Sequence, residues 1–247
     1  MDINYTLFFV LAFIAEVIGT VSGFGSSLLF VPMASLFFDF KSVLVITALF
    51  HVFSNLSKIF LFRKGVDWKL VIQLGIPAVI SVSAGALLTS FFAAEKLELF
   101  MSVVLVLLSV FLIVRFDRPL QQRTGNLISG GLISGFIAGI AGSGGAIRGL
   151  VLTAFHLSKD VFIATSAFID LGVDVSRAII YLGQGYFKPE FWPLIGGLII
   201  IGILGSYTGK KILQITSEKV FRYIVLLVII GTSCFQLFQS LRDMSTS

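Results

Sequence analysis

Apolar runs of membrane-crossing length dominate the chain, and polar residues fall in short groups between them. The first run extends from Tyr5 to Phe38 and is interrupted at Ser22-Gly23-Phe24-Gly25. Runs at 42–62, 69–93 and 97–114 follow, then a basic linker that begins at Arg115. The next run, Leu127 to Leu157, is interrupted at Gly142-Ser143-Gly144-Gly145 and is followed by 161–182, 191–213 and 219–240. The pattern predicts a broken segment and three helices, then the same again. The halves match at an offset of 119 near their starts, pairing Gly23 with Gly142, Gly25 with Gly144, Ala48 with Ala167 and Ser57 with Ser176. The offset drifts later, where Gly65 pairs with Gly185 and Glu95 with Glu218. Internal repeats of this kind mark many transporter folds. The division expected is one transmembrane domain, 1–247, made of a first repeat 1–116, a basic cytoplasmic linker 117–126 and a second repeat 127–247.

Length sharpens the reading of the broken segments. Tyr5–Phe38 would be about 51 Å long as one helix, too long for a single crossing of a ~30 Å hydrocarbon core. Its pieces, Tyr5–Val21 at about 25 Å and Ser27–Phe38 at about 18 Å, are short for a crossing each. The lengths predict re-entrant hairpins with tips near the bilayer midplane. Irregular backbone at that depth is tolerated only when buried in protein or lining a wet cavity.

Composition agrees. Hydrophobic residues make up 57% of the chain and charged residues 13%, with a mean hydropathy of +1.02. A soluble domain carries about 25% charge. This excludes an ordinary water-soluble enzyme, a disordered chain and a nucleic-acid-binding domain. The one cysteine, Cys234, cannot form an intrachain disulfide, and His51 and His156 are too far apart to suggest a metal cluster. No metal, cofactor, catalytic residue or nucleic-acid partner is expected. Gly142-Ser-Gly-Gly lacks the Gly-Lys-Ser/Thr ending of a P-loop. No basic region precedes the first apolar run, so that run is expected to be retained.

The net charge of +5 becomes informative once the cations are placed. If each broken segment crossed straight, the loops would carry 7 cations on one side and 8 on the other. If each turned back, the division would be 11 to 4. Only the second obeys the positive-inside rule. It sets both termini outside, and the three spans between the hairpins then make the halves inverted-topology repeats. Trp68 and Trp192 open corresponding helices as interfacial anchors. The fold expected is an all-α polytopic membrane protein of two inverted-topology repeats. Each repeat is a Gly-broken re-entrant helical hairpin followed by three transmembrane helices.

At each tip a helix starts within the membrane, near Gly25-Ser26-Ser27 and near Gly144-Gly145-Ala146. A helix N-terminus offers unpaired N–H groups and partial positive charge, which suits anions. Ser22, Ser26, Ser27 and Ser143 add hydroxyls. The alternative is that the small residues only let helices pack, as Gly131, Gly135 and Gly139 would. Arg148, four residues after Gly144, is either a ligand for an anionic substrate or a structural partner of Asp170 or Asp174. His51, Asn55 and Lys58 lie on one helical face, and Asp170, Asp174 and Arg177 occupy the equivalent positions of the second half. Asn55, Lys58 and Arg177 join the substrate-binding candidates, though Lys58 and Arg177 lie close enough to helix ends to snorkel. Asp174 and Arg177 alternatively neutralise each other. His51, Asp170, Asp174 and Glu16 are proton-coupling candidates, with a cation partner as the alternative for Glu16. His156 reads as structural, and the 26 phenylalanines as packing or lipid-facing surface.

The opening Gly19-Thr-Val-Ser-Gly-Phe-Gly-Ser-Ser27 and its echo Gly139-Ile-Ala-Gly-Ser-Gly-Gly-Ala146 resemble the repeated signature of the sulfite exporter TauE/SafE family, also called the sulfonate-uptake permease family. Pro32 and the two-half layout fit as well, and the resemblance covers nearly the whole chain; Val151 stands where a second Pro32 would. The resemblance implies a secondary transporter of sulfite, sulfoacetate or other organosulfonates in the bacterial cytoplasmic (inner) membrane. It also implies that Gly23, Gly25, Gly142 and Gly144 form substrate-binding loops. Expected partners are a small anionic substrate, the lipid bilayer and, as a candidate, a second copy in a homodimer. The competing functions are an anion channel and a membrane subunit that passes sulfur compounds to a partner enzyme.

Overall fold

The computed structural model describes residues 5–63, 65–114, 122–215 and 217. Every regular element among them is helical. In chain order these are α1 (Tyr5–Ser22), α2 (Ser27–Ala34), α3 (Phe40–Leu61), α4 (Trp68–Leu70), a π turn (Val71–Gly75) leading into α5 (Ile76–Leu88), α6 (Ala94–Val114), α7 (Thr124–Ala141), α8 (Gly145–Thr153), α9 (Lys159–Gly183) and α10 (Trp192–Ile215). Among the described residues, five helical stretches are long and apolar enough to cross a membrane: Tyr5–Ser22, Phe40–Leu61, Trp68–Phe91, Thr124–Ala141 and Pro189–Ile215. The 25-residue α9 matches them in length but carries Asp170, Asp174 and Arg177 in its middle. The expected run 219–240 and residues 115–121 around the start of the linker lie outside the described residues.

Both breaks occur where predicted, and left-handed glycines make them. Gly23 has φ +67° and Gly142 φ +72°. Each donates its N–H four residues back, Gly23 to the Gly19 carbonyl and Gly142 to the Ala138 carbonyl, both at 3.1 Å. This is the left-handed helix cap, costly for any residue with a Cβ. The same cap thus recurs 119 residues later.

The pieces flanking the breaks differ from the length estimate. The 18-residue α1 and α7 are each about 27 Å long, longer than the first pieces read from the sequence. The physical reason is that each helix continues to its left-handed glycine, and α7 starts at Thr124, inside the segment assigned to the linker. The pieces after the breaks are shorter than expected. The 8-residue α2 and 9-residue α8 stop at Ala34 and Thr153, about 12–14 Å each.

α1 packs on α10, α7 packs on α5, and α3 and α9 pack on each other. The glycines of α7 permit a backbone-to-backbone approach. A Cβ at Gly131, Gly135 or Gly139 would overlap the carbonyl oxygens of Leu74, Ala78 and Val82. Phe8, Phe30 and Phe50 fill the core between α1, α2 and α3, while Trp68 and Trp192 at their helix starts are exposed. Asp39 caps α3, accepting from Ser42 N at 3.0 Å and Ser42 Oγ at 2.7 Å, and pairs with Lys188. Partial burial alone would raise its pKa, but the Ser42 bonds and Lys188 outweigh that and hold the carboxyl below its ordinary value.

Because the α5–α7 contact leaves no room for a methyl group, Gly135→Ala is expected to destabilise the protein by roughly 1–3 kcal/mol despite alanine's better helix propensity. Gly196→Ala on α10, where nothing lies within 4 Å, is expected to leave stability unchanged or raised. Thermal unfolding of the two variants in detergent checks this; equal midpoints would refute the close approach.

Candidate functional site

Two polar helix faces meet at the centre of the bundle. On α3 the face is His51, Ser54, Asn55 and Lys58; on α9 it is Ser166, Asp170, Asp174, Arg177 and Tyr181. They touch directly through Asn55, which donates to Asp174 Oδ2 at 2.7 Å. These residues are 119 apart along the chain.

Glu16 of α1 is wholly buried and accepts from Thr20 Oγ1 (3.1 Å), Ser26 Oγ (2.6 Å), Ser54 Oγ (2.6 Å) and Ser206 Oγ (2.8 Å). Lys58 Nζ pairs with it at 2.9 Å and also donates to Ser54 Oγ at 3.0 Å. Five donors saturate a carboxylate, which has about four lone-pair sites. They come from α1, the start of α2, α3 and α10, so this one group ties four parts of the chain together. Of the alternatives for Glu16, a structural pair with a cation is therefore present.

The bonds around Ser26 also define the tautomer of His51. The Ser26 hydroxyl gives its proton to Glu16, so it accepts from His51 Nε2 at 2.8 Å. His51 Nδ1 is then an acceptor, and Arg177 Nη2 approaches it at 3.4 Å. This pattern is that of an imidazole with its proton on Nε2. A second proton on Nδ1 would face the Arg177 guanidinium.

Arg177 is 1% exposed and Lys58 5%, so neither snorkels to an interface. Arg177 holds Asp174 at 2.7–2.8 Å and donates through Nη1 to the Gly142 carbonyl at 2.6 Å and the Ala138 carbonyl at 3.3 Å. Tyr181 donates its hydroxyl to the Gly139 carbonyl at 2.6 Å. The last carbonyls of α7 are thus capped by a cation, the favourable charge for a helix C-terminus.

Arg148 is different. It lies in the first turn of α8, where a cation is unfavourably placed relative to the helix dipole. It is 2% exposed and forms an ion pair with Asp170, yet its Nε has no hydrogen-bond partner. The nearby buried Ser143 Oγ is also unpartnered. Buried donors are almost always paired, and an orphan costs about 1–3 kcal/mol.

A polar cavity of ≈ 20 Å³, about the space of one water, lies between the breaks. Gly25, Ser26 and Ser27 line it from the first break, and Gly142, Gly144, Gly145 and Arg148 from the second. His51, Asn55 and Lys58 of α3 and Asp170, Asp174 and Arg177 of α9 complete the wall. An adjoining space lined by Gly23 shares Gly25, Asn55, Lys58 and Asp170. The breaks also touch each other, since a Cβ at Gly145 would overlap the Phe24 carbonyl. Thirteen of the seventeen predicted residues thus line one cavity. Of the rest, Gly23 lines the adjoining space, Glu16 stands behind Lys58 and Ser26, and Ser143 is buried beside the cavity. Ser22 is turned into its own loop, donating to the Gly19 carbonyl and accepting from Phe24 N–H. His156 is exposed, at φ +50°.

Sequence reasoning missed Thr20, Ser54, Ser166, Tyr181 and Ser206. Thr20, Ser54, Ser166 and Tyr181 lie three or four residues from a predicted site residue, so helical spacing held a usable signal. Ser206 comes from a distant helix, and nothing local points to Glu16.

Removing the charge of Glu16 strands Lys58 in the interior. Glu16→Gln is expected to destabilise the protein by about 3–5 kcal/mol, and adding Lys58→Met to recover part of that loss. A double-mutant cycle on detergent unfolding measures it; an additive double variant would refute the coupling.

Comparison with known proteins agrees with this architecture. The profile of the family described as sulfite exporter TauE/SafE matches residues 8–235. A probable membrane transporter protein of Methanocaldococcus jannaschii is 28% identical over 252 aligned residues, covering 91% of this chain and 92% of the relative. No solved structure matches the chain. With a match that spans both helix breaks and the charged faces between them, the chain belongs to the sulfite exporter TauE/SafE family and is a multi-pass membrane transporter, not an enzyme.

Proposed function

We propose that this transporter carries small sulfur-containing anions, sulfite, sulfoacetate or another organosulfonate, and binds them between its two Gly-rich breaks. The single observation that carries the reading is Arg148, a buried guanidinium at a helix N-terminus, beside the cavity, with an orphaned Nε. A planar guanidinium suits a sulfur oxyanion, and the first amides of α8 have no partner within the helix to compete for it. Proton coupling through the buried acids belongs to the same reading.

Each α1–α2 and α7–α8 segment is read as a re-entrant hairpin with a short second leg, and the two repeats, 1–116 and 127–247, as inverted. Three observations support this. The glycine caps repeat at the same offset, the first helix of each half packs on the other half, and Asn55 meets its equivalent Asp174. The cation distribution favours both termini outside a bacterial cytoplasmic membrane, with 117–126 inside. The water-sized cavity is the contracted state of the site, and rocking of one repeat against the other would admit the anion and alternate its access.

The test is a thermal-shift panel of sulfite, thiosulfate, sulfoacetate and methanesulfonate, followed by liposome flux. Arg148→Ala is expected to weaken anion binding roughly tenfold to a hundredfold. Unchanged flux in Arg148→Ala would remove Arg148 from the mechanism. Absence of any stabilisation by the panel would overturn the sulfur-anion assignment, and large unitary currents would make the protein a channel.

A further inference from the structure

The charged groups described in the bundle interior form three pairs: Glu16 with Lys58, Asp170 with Arg148, and Asp174 with Arg177. With His51 neutral the cluster carries no net charge. An incoming anion breaks this balance, and an uncompensated charge at such depth costs several kcal/mol. One pair must yield, and the hydrogen bonds indicate which.

Glu16 is saturated by five donors. Asp174 is held by Arg177 Nε and Nη2 and by Asn55, and the same guanidinium secures the end of α7. Among the described residues Asp170 has only Arg148 and a long 3.3 Å bond from Ser166 Oγ. It is the most exposed acid of the three, with 14% of its side chain accessible, and it lines both spaces. We propose that Asp170 is the built-in occupant of the anion site: substrate displaces it from Arg148, and the freed carboxylate takes up one proton from the aqueous phase.

The inference rests on the anion-transport reading and names its coupling group. The step balances: a monoanion and a proton enter together, Asp170 becomes a neutral carboxylic acid, Arg148 transfers its pairing to the substrate, and the cluster stays neutral. The other groups facing Asp170 do not supply the proton site. α8 presents Arg148, α3 presents Lys58 and His51, and α9 itself presents Asp174 and Arg177. The π turn, α5, α2 and α7 contribute no ionisable side chain, and Asp67 meets α9 through its backbone N–H to Thr165. Lys58 and Arg177 are already charged, Asp174 stays with Arg177, and a proton added to His51 would face Arg177.

The test uses the whole protein and methanesulfonate, a monoanion that does not titrate near neutral pH. Calorimetry in two buffers of different ionisation enthalpy counts the protons bound with each anion. The wild type is expected to take up about one, and its affinity to rise about tenfold per unit fall in pH. Asp170→Asn, a neutral mimic, is expected to bind with no proton uptake and a flat pH profile, and to exchange anions across liposomes without proton-driven accumulation. Binding by the wild type without proton uptake would overturn the inference whether or not the variant folds, as would a pH slope that persists in Asp170→Asn. Failure of the wild type to bind methanesulfonate also overturns it in this form. The proposed function stands or falls separately, on the anion panel and on Arg148→Ala.

Discussion

An ionised side chain inside an apolar helix bundle must find an opposite charge or enough hydrogen bonds to replace water, or the fold loses several kcal/mol. Among the described residues six such groups lie at the centre of the bundle, and the helices around them are arranged about their pairing. Glu16 joins α1, the start of α2, α3 and α10 because no single helix can supply five donors. Arg177 ties α9 to the end of α7 because the last carbonyls of a helix need donors and carry negative charge. Hydrogen bonds to these charges bring remote parts of the chain together, Ser206 reaching Glu16 and Asn55 reaching Asp174.

Glycine sets the second constraint. At Gly23 and Gly142 the backbone turns left-handed, which stops a helix and exposes its terminal amides and carbonyls. Such a break is tolerable inside a bundle only if those groups are satisfied or lead to a polar space. Here both conditions hold. Arg177 and Tyr181 cap the second break, Ser26 anchors the first to Glu16 and His51, and the remaining amides border the cavity.

The contrast between the saturated and the incomplete pairs separates support from function. Glu16–Lys58 and Asp174–Arg177 are enclosed by additional bonds and hold helices in place. Arg148–Asp170 is thinly bonded, partly accessible and leaves a donor unused. A protein interior that satisfies its polar groups nearly everywhere gives such an exception meaning.

Hydropathy and the glycine-rich interruptions were enough to read a helical membrane protein. They were also enough to mark most of the residues that line the cavity, because helical periodicity and the dihedral freedom of glycine are local properties. The length of the legs was less legible, since where a helix ends depends on its cap and not on hydropathy alone. Which acid meets which cation was legible only for Asp174 and Arg177, three residues apart on one helix. Glu16 lies 42 residues from Lys58 and 190 from Ser206, and Arg148 had two possible partners until α8 and α9 were placed side by side. The sequence determined which groups are expensive to bury. Only the tertiary structure decided how each is compensated, because pairing depends on distances of a few ångströms between helices that are remote along the chain.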